Sequence, residues 1–184
     1  MAGSAAGADR MGMMRSLHED LAIPDGFRAQ IIGADLVVSG PPTGQHAHIV
    51  SYVRNAIHPA RPAGYDTYEA TTAQTDSGQR FTPDLAMWPV DLLRGSAEWA
   101  LPASMCRFAL EVTSPGAEYR DYLKASGYAE APVPVYLLAD VRKRECIVFT
   151  DPEGGVYRTK QRVPFGAPVF LPFDVQVAID TAEF

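Results

Sequence analysis

The sequence predicts an α/β (α+β) fold in which a mixed sheet is flanked by two principal helices. Residues 105–139 contain an apolar strand, a helix and a second apolar strand, which is the order expected for a crossover between parallel strands. Residues 43–58 instead place apolar side chains at helical spacing. Turn signatures at Gly33 and at residues 151–155 indicate two antiparallel hairpins. A sheet with both parallel and antiparallel pairs is therefore expected.

The elements of the first half follow from turn residues and from the period of apolar side chains. Thr43 stands where an N-cap residue would begin a helix, and the Thr- and Tyr-rich stretch that follows this helix favours a strand. The elements predicted there are a short helix at 16–22, two strands of a hairpin at 27–32 and 36–39, a helix at 43–58, and strands at 65–75 and 85–88.

The second half is expected to contain the centre of the sheet. An apolar strand that ends in the acid Glu111 suits a buried central position. Ser114 and Pro115 are typical of the N-cap and the first position of a helix. The elements predicted there are a surface connection at 89–102, a strand at 105–112, a helix from 114 to about 130, a strand at 133–139, and hairpin strands at 146–150 and 156–160.

Length and composition predict one domain. The 184 residues are 47% hydrophobic and 21% charged, as in ordinary globular proteins, and no apolar run is long enough to span a membrane. Residues 1–15 are expected to be a disordered leader before a domain at 16–184, and without a signal peptide the chain is expected to be cytoplasmic. Cys106 and Cys146, each within an apolar stretch, predict two buried free thiols.

The net charge of −6 disfavours indiscriminate nucleic-acid binding, because phosphate contacts need a positive surface. Any such role must depend on a local patch. Arg158, Lys160 and Arg162 alternate along a predicted strand and would share one side of it, which favours a patch, although a solvated hairpin face explains them equally well.

Two acids and a lysine stand where they could form a metal-dependent site. Asp84 opens one short strand, Glu111 ends a buried strand, and Lys124 lies in the helix that follows. Adjacent strands lie about 4.8 Å apart, so the two carboxylates can converge and bind Mg²⁺ or Mn²⁺. Such a site suits hydrolysis of a phosphodiester. Each residue also has an ordinary interpretation: a turn, a solvated strand end and an exposed helix face.

Helical spacing bears on Lys124. Asp121, Lys124 and Tyr128 are spaced i, i+3, i+7 and share one helix face. If this face is directed at the strand ends, Lys124 reaches the site; otherwise it pairs with Asp121 in solvent. His46 and His48 are on different helix faces, so they predict no joint metal site, and His46 is expected to be structural or to line the site.

The sequence also resembles a known family through a series of short blocks. It is similar to the Uma-type family of restriction-endonuclease-like proteins, within the PD-(D/E)XK nuclease superfamily, over roughly residues 27–175. The blocks are FTPDLAM at 81–87, LEVTSP at 110–115, Asp121 and Lys124 followed by GYA at 127–129, VPVYLLAD at 133–140, and the earlier 33–42 segment with His46.

This resemblance implies a restriction-endonuclease-like mixed sheet flanked by helices. It also implies that Asp84 and Glu111 are metal ligands, with the backbone carbonyl of Val112 as a third. The signature lysine normally follows the acid by two residues, where this chain has Thr113, and the resemblance implies that Lys124 supplies it from the helix. Gln30 stands where the family tends to have an acid, and the spacing from Asp121 to Lys124 is one residue shorter than expected.

The expected function is therefore a metal-dependent endonuclease that hydrolyses DNA, with Asp84, Glu111 and Lys124 as the catalytic residues. A two-fold homodimer would let such an enzyme reach both strands of a duplex. A catalytically silent binding module with the same fold is the alternative. A hydrolase of small phosphoesters is a third reading, which the acidic charge would suit better than DNA.

Overall fold

Strands make up most of the protein, whose computed structural model describes residues 3–113 and 118–184. Four α-helices and thirteen strands are found in these residues. In chain order they are α1 (Gly3–Asp20), β1 (Arg28–Ile32), β2 (Asp35–Ser39), α2 (Gly44–Ile57), β3 (Tyr65–Tyr68), β4 (Thr72–Gln74), β5 (Arg80–Phe81), β6 (Leu85–Pro89), α3 (Val90–Gly95), β7 (Ala100–Pro102), β8 (Phe108–Val112), α4 (Glu118–Glu130), β9 (Val135–Asp140), β10 (Glu145–Glu153), β11 (Val156–Pro164), β12 (Val169–Leu171) and β13 (Val177–Ile179).

The larger sheet has six strands in the order β11-β10-β9-β8-β6-β3. Strands β8 and β9 are parallel, with Glu111 opposite Leu138, and the other neighbours are antiparallel. Every residue of β8 and β9 is buried, which explains their nearly unbroken apolar sequence. The predicted strand-helix-strand crossover and the mixed character of the sheet are thus confirmed.

The smaller sheet has five strands in the order β2-β1-β5-β4-β7. Its β1–β2 hairpin turns at Gly33, whose φ of +62° is favourable for glycine, so the predicted hairpin is confirmed. Strands β12 and β13 form a separate antiparallel pair.

Two apolar clusters form the core. Helix α2 contributes Ile49, Val53 and Ile57 to a cluster with the side chains of β8 and β9 that include Leu110 and Leu137. The other cluster contains Tyr128 of α4, together with Trp88 and Tyr136. Since neighbouring residues of one strand enter different clusters, the two helices cover opposite faces of the larger sheet. Residues near the ends of β6 and β8 therefore lie between α2 and α4.

Several predicted boundaries were wrong. Helix α1 extends over Gly3–Asp20, so the short helix expected at 16–22 is part of a longer helix that ends two residues earlier. The single strand expected at 65–75 is two strands in different sheets, separated by Ala70 at a φ of +56°. The expected surface connection at 89–102 contains α3 and β7, and the strand expected from 105 begins at Phe108.

Other predictions have a clear outcome. Thr43 caps α2 by accepting a hydrogen bond from the backbone N–H of His46, as expected. Helix α4 ends at Glu130 as expected, whereas its predicted N-cap, Ser114 with Pro115, lies outside the described residues. Both cysteine thiols are free and buried. In the described part of the chain, no helix is long and apolar enough to cross a membrane.

Candidate active site

Asp84 is held from three directions at the start of β6. The backbone N–H of Val112 donates to its Oδ2 at 2.8 Å, and Nε2 of His46 lies 3.0 Å from its Oδ1. A guanidinium nitrogen of Arg28 lies 3.5 Å from the same Oδ1. The antiparallel register, with Leu85 opposite Leu110, places Asp84 beside the end of β8. The orientation of this carboxylate is therefore set by partners from β8, α2 and β1.

Glu111 lies next to this position, in β8, and its side chain is only 3% exposed. Nζ of Lys124 donates to Oε2 at 2.7 Å, and the hydroxyl of Tyr128 donates to Oε1 at 2.8 Å. Burial raises the pKa of Glu111 to about 8; the charge of Lys124 opposes this rise and the charge of Asp84 adds to it. A buried acid with a raised pKa beside other acids is a feature common at functional sites.

Lys124 faces inward from α4. Besides the bond to Glu111, its Nζ lies 3.3 Å from Oδ1 of Asp121, one turn earlier on the helix. Burial would lower the pKa of Lys124, but the carboxylates of Glu111 and Asp121 outweigh it and raise this pKa. Burial also raises the pKa of Asp121, partly offset by Lys124. The predicted helix face of Asp121, Lys124 and Tyr128 is thus directed at the strand ends, and the pairing with Asp121 occurs in the interior instead of in solvent.

Two residues of the site were not singled out as central from the sequence. His46 was expected mainly to be structural, yet it contacts Asp84, and its buried Nδ1 has no hydrogen-bond partner among the described residues. Arg28 was not considered. In the sequence, His46 was indicated only by its position among the blocks that resemble the family. Arg28 had no such indication, because it reaches Asp84 only through the packing of the β1–β2 hairpin against the start of β6.

Gln30 and Thr113, the two departures from the family pattern, have structural roles here. The side-chain oxygen of Gln30 accepts a hydrogen bond from the backbone N–H of Thr82 at 2.9 Å. The hydroxyl of Thr113 accepts one from the backbone N–H of Val141 at 3.1 Å, which ties β8 to the turn after β9. Thr113 is also buried. Because its side chain is uncharged, it cannot supply the positive group that the signature lysine would.

The site residues line a single cavity, which contains Arg28, His46, Asp84, Glu111, Asp121 and Lys124. Two carboxylates and a backbone carbonyl are hard oxygen donors of the kind that Mg²⁺ and Mn²⁺ prefer, and Mg²⁺ commonly keeps several water ligands. The donor chemistry therefore fits such an ion. Within the described residues, no group of three or more acidic, histidine or cysteine side chains is arranged to hold a metal, so water would have to complete the coordination.

The alternating basic residues of β11 lie apart from this cavity. Arg158 pairs with Glu153 and Arg162 pairs with Glu145, while Nζ of Lys160 lies 5.1 Å from the ring centre of Phe149. Their charges are largely used within the hairpin itself. The solvated-face interpretation describes them better than a phosphate-binding patch.

Comparisons with known proteins agree with this architecture. A family model named Uma2, with the description "Putative restriction endonuclease", matches residues 16–180. A solved structure from Anabaena variabilis, described as a "putative nuclease belonging to DUF820", superposes with a TM-score of 0.62 at 14% sequence identity, covering 84% of this chain and 86% of that one. No curated protein matches. The structural likeness confirms the expected fold, a mixed sheet flanked by helices.

Proposed function

Because the chain belongs to the Uma2 family, which is described as "Putative restriction endonuclease", we propose that it is a metal-dependent endonuclease that hydrolyses phosphodiester bonds of DNA. The observation that carries this proposal is the convergence of Asp84, Glu111 and Lys124 on one cavity. Two acids and a lysine on the wall of a cavity provide both a place for a cation and a positive group for a phosphate.

In this proposal, the carboxylates of Asp84 and Glu111 and the backbone carbonyl of Val112 hold Mg²⁺ or Mn²⁺. When bound, the ion lowers the pKa of a coordinated water and neutralises charge on the phosphate. His46 and the Val112 N–H keep the Asp84 carboxylate in a fixed orientation. Tyr128 does the same for Glu111 through its hydroxyl.

Lys124 positions the reactants. Its ammonium group lies 2.7 Å from Glu111 and donates to that carboxylate in the absence of substrate. A phosphate in the cavity offers competing oxygen acceptors, and the ammonium can donate to these or to the attacking water. The negative charge that develops on the phosphate is thereby stabilised by a group whose pKa the neighbouring acids keep raised.

A plasmid-nicking assay with and without Mn²⁺ tests this proposal. Wild type should convert supercoiled plasmid to nicked circles only with the metal, and Asp84→Asn, Glu111→Gln and Lys124→Met should each abolish the conversion. Asp91→Asn is a matched control, because it removes an exposed acid from α3, beyond the far end of β6. Circular dichroism verifies that each variant is folded. Unchanged cutting by Asp84→Asn would refute the assigned roles.

A catalytically silent module is the second candidate, and one observation favours it. Both oxygens of Glu111 already accept hydrogen bonds from side chains of the protein itself, so a metal must compete with Lys124 for this ligand. Titration calorimetry with Mn²⁺ separates the two candidates. Heat of binding that disappears in Asp84→Asn supports the enzyme, and its absence at millimolar metal supports the silent module.

A duplex-cutting enzyme must also reach two strands. We propose a two-fold homodimer for this purpose, since the same surface on both copies would place two sites symmetrically. Light scattering coupled to size-exclusion chromatography measures the mass directly, and a monomer with full double-strand cutting would contradict the dimer.

A further inference from the structure

We infer that Tyr119 and Arg120 of α4, together with Arg28, which lines the same cavity as Arg120, form the surface on which a single strand of DNA lies beside the site. This inference rests on the proposed function for its substrate class. It adds the residues that hold the strand: Arg28 and Arg120 bind backbone phosphates, and Tyr119 stacks on an unpaired base.

Arg120 is placed to contact a phosphate next to the one being cut. It is exposed and lines the cavity that contains Asp84 and Lys124, as well as an adjoining cavity beside the β1–β2 hairpin. The described residues supply no carboxylate partner for it. Five other arginines do have one: Arg54 pairs with Glu69, Arg61 with Asp66, Arg107 with Asp174, Arg158 with Glu153, and Arg162 with Glu145.

Arg28 provides a second cation on the same cavity. Its side chain is 33% exposed, and its guanidinium nitrogen lies 3.5 Å from Asp84, at the outer limit of a hydrogen bond. Such a loose contact leaves most of the five guanidinium N–H donors available to phosphate oxygens. Arg28 lies in β1 and Arg120 lies in α4, so the two guanidinium groups reach the cavity from different secondary-structure elements.

Tyr119 gives this surface an aromatic component. It is 75% exposed, more than any other large hydrophobic side chain that the structure describes. Tyr119 precedes Arg120 in α4 and lines two cavities. One is the cavity beside the β1–β2 hairpin, which Arg120 also lines, and the other is a groove lined by Tyr122 and Lys143. An aromatic ring left in solvent beside cations is the combination with which proteins bind single strands, because stacking accepts every base and the cations follow the backbone.

The net negative charge of the protein restricts where nucleic acid can bind. A chain with a net charge of −6 repels nucleic acid on average, so binding must be confined to a place where cations are not neutralised. The basic strand β11 fails this condition because Arg158 and Arg162 are paired. The surface of Arg28, Tyr119 and Arg120 adjoins the candidate site, and within it Arg120 has no carboxylate partner among the described residues while Arg28 makes only a 3.5 Å contact with Asp84.

Fluorescence anisotropy with a labelled single-stranded oligonucleotide, in EDTA so that nothing is cut, tests the inference. Arg120→Ala should weaken binding and reduce the slope of log K against log salt by about 0.7 for a single strand. Tyr119→Ala should weaken single-strand binding about five- to hundredfold, with a much smaller effect on a blunt duplex, whereas Tyr119→Phe should bind like wild type.

Arg94→Ala is the matched control. Arg94 is an exposed arginine in α3, which follows the opposite end of β6 from Asp84, about 16 Å along the strand. Its loss lowers the positive charge by the same amount and should leave the affinity unchanged. If Arg120→Ala and Tyr119→Ala also behave like Arg94→Ala, or if wild type does not bind the oligonucleotide, the inference is overturned.

Nicking of plasmid by the same proteins separates this inference from the proposed function. Cutting by wild type with an unchanged KM in both variants would refute the surface and leave the nuclease intact. Weakened binding in both variants, together with a wild type that never cuts, would support the surface and refute the nuclease.

Discussion

Lys124 and Glu111 form an ion pair in which Nζ lies 2.7 Å from Oε2 and each side chain is only 3% exposed. A buried pair contributes little net stability, because removing two charges from water costs about as much as their attraction returns. Loss of one partner is strongly destabilising, since the remaining charge is left buried without compensation. This pair therefore controls both the state of the candidate site and the stability of the fold around it.

Lys124→Met should be strongly destabilising. The methionine keeps the apolar stem but leaves the Glu111 carboxylate with Tyr128 as its remaining donor, a change that costs on the order of 3–5 kcal/mol. The loss should be larger at pH 9, above the wild-type Glu111 pKa of about 8, than at pH 6, where the carboxyl is protonated; without the Lys124 charge, which lowers this pKa, the acid binds its proton more tightly still. Urea unfolding at both pH values measures the free energies. In the double variant with Glu111→Gln much of the stability should return, and an equally unstable double variant would contradict the pairing.

Stability should also depend on pH through Glu111 itself. Its pKa is raised from 4.5 in the unfolded chain to about 8 in the folded protein, mainly by burial, so the folded state favours the protonated acid. The stabilisation from this group is complete below pH 4.5 and is lost as the pH rises toward 8. Urea unfolding of metal-free protein across this range should show a decline for wild type that Glu111→Gln lacks. Parallel pH profiles for the two proteins would show that burial does not raise this pKa.

Gly127 is required because α4 lies directly against β5. A Cβ atom at this position would be 2.3 Å from Cζ and 2.6 Å from Cε2 of Phe81. Alanine normally stabilises a helix relative to glycine by about 1 kcal/mol, but here it should destabilise the protein by about 1–3 kcal/mol through overpacking. Thermal unfolding measures this, and the double variant with Phe81→Leu should recover part of the loss. A Gly127→Ala protein as stable as wild type would show that α4 can move away without cost, which would also weaken the fixed placement of Lys124.

The sequence predicted the parts of the fold that have a strong period or a distinctive turn. Continuous apolar runs predicted the parallel pair around Glu111 and Leu138, because few polar residues fit between two covered faces. The division of residues 65–75 between two sheets was missed. Threonine and tyrosine favour a strand in either sheet, so the composition did not reveal the division. The break between the two strands depends on a positive φ at Ala70, which alanine rarely adopts.

The sequence predicted the acids and the lysine of the candidate site, but not the side chains that orient Asp84. The acids at the strand ends, the helical spacing and the family resemblance together predicted that Asp84, Glu111 and Lys124 would meet, and all three line one cavity. The partners of Asp84 could not be inferred in the same way, since His46 and Arg28 are separated from it by 38 and 56 positions of the chain and meet it only through tertiary packing. A helix-capping residue such as Thr43 indicates where α2 begins, but not which strand end its first turn approaches.

His46 should act as a positioning residue for Asp84. Its Nε2 contacts Oδ1, while the Val112 N–H contacts Oδ2, so loss of the imidazole leaves one oxygen to the distant Arg28 guanidinium. Loss of a group that orients a metal ligand commonly weakens metal binding about 10- to 100-fold. Titration calorimetry with Mn²⁺ should therefore give this weakening for His46→Ala and a smaller one for His46→Gln, whose amide can donate to the same oxygen.

His48→Ala is the control for this prediction, because His48 is exposed on another face of α2 and its ring is tilted against that of Tyr52, with ring centres 6.1 Å apart. Its Mn²⁺ affinity should equal that of wild type. If His46→Ala is folded and also binds Mn²⁺ like wild type, then the Val112 N–H and Arg28 are sufficient to orient Asp84. The buried Nδ1 of His46, which has no partner in the described structure, would then mark a residue retained for packing against the strand ends instead of for the metal.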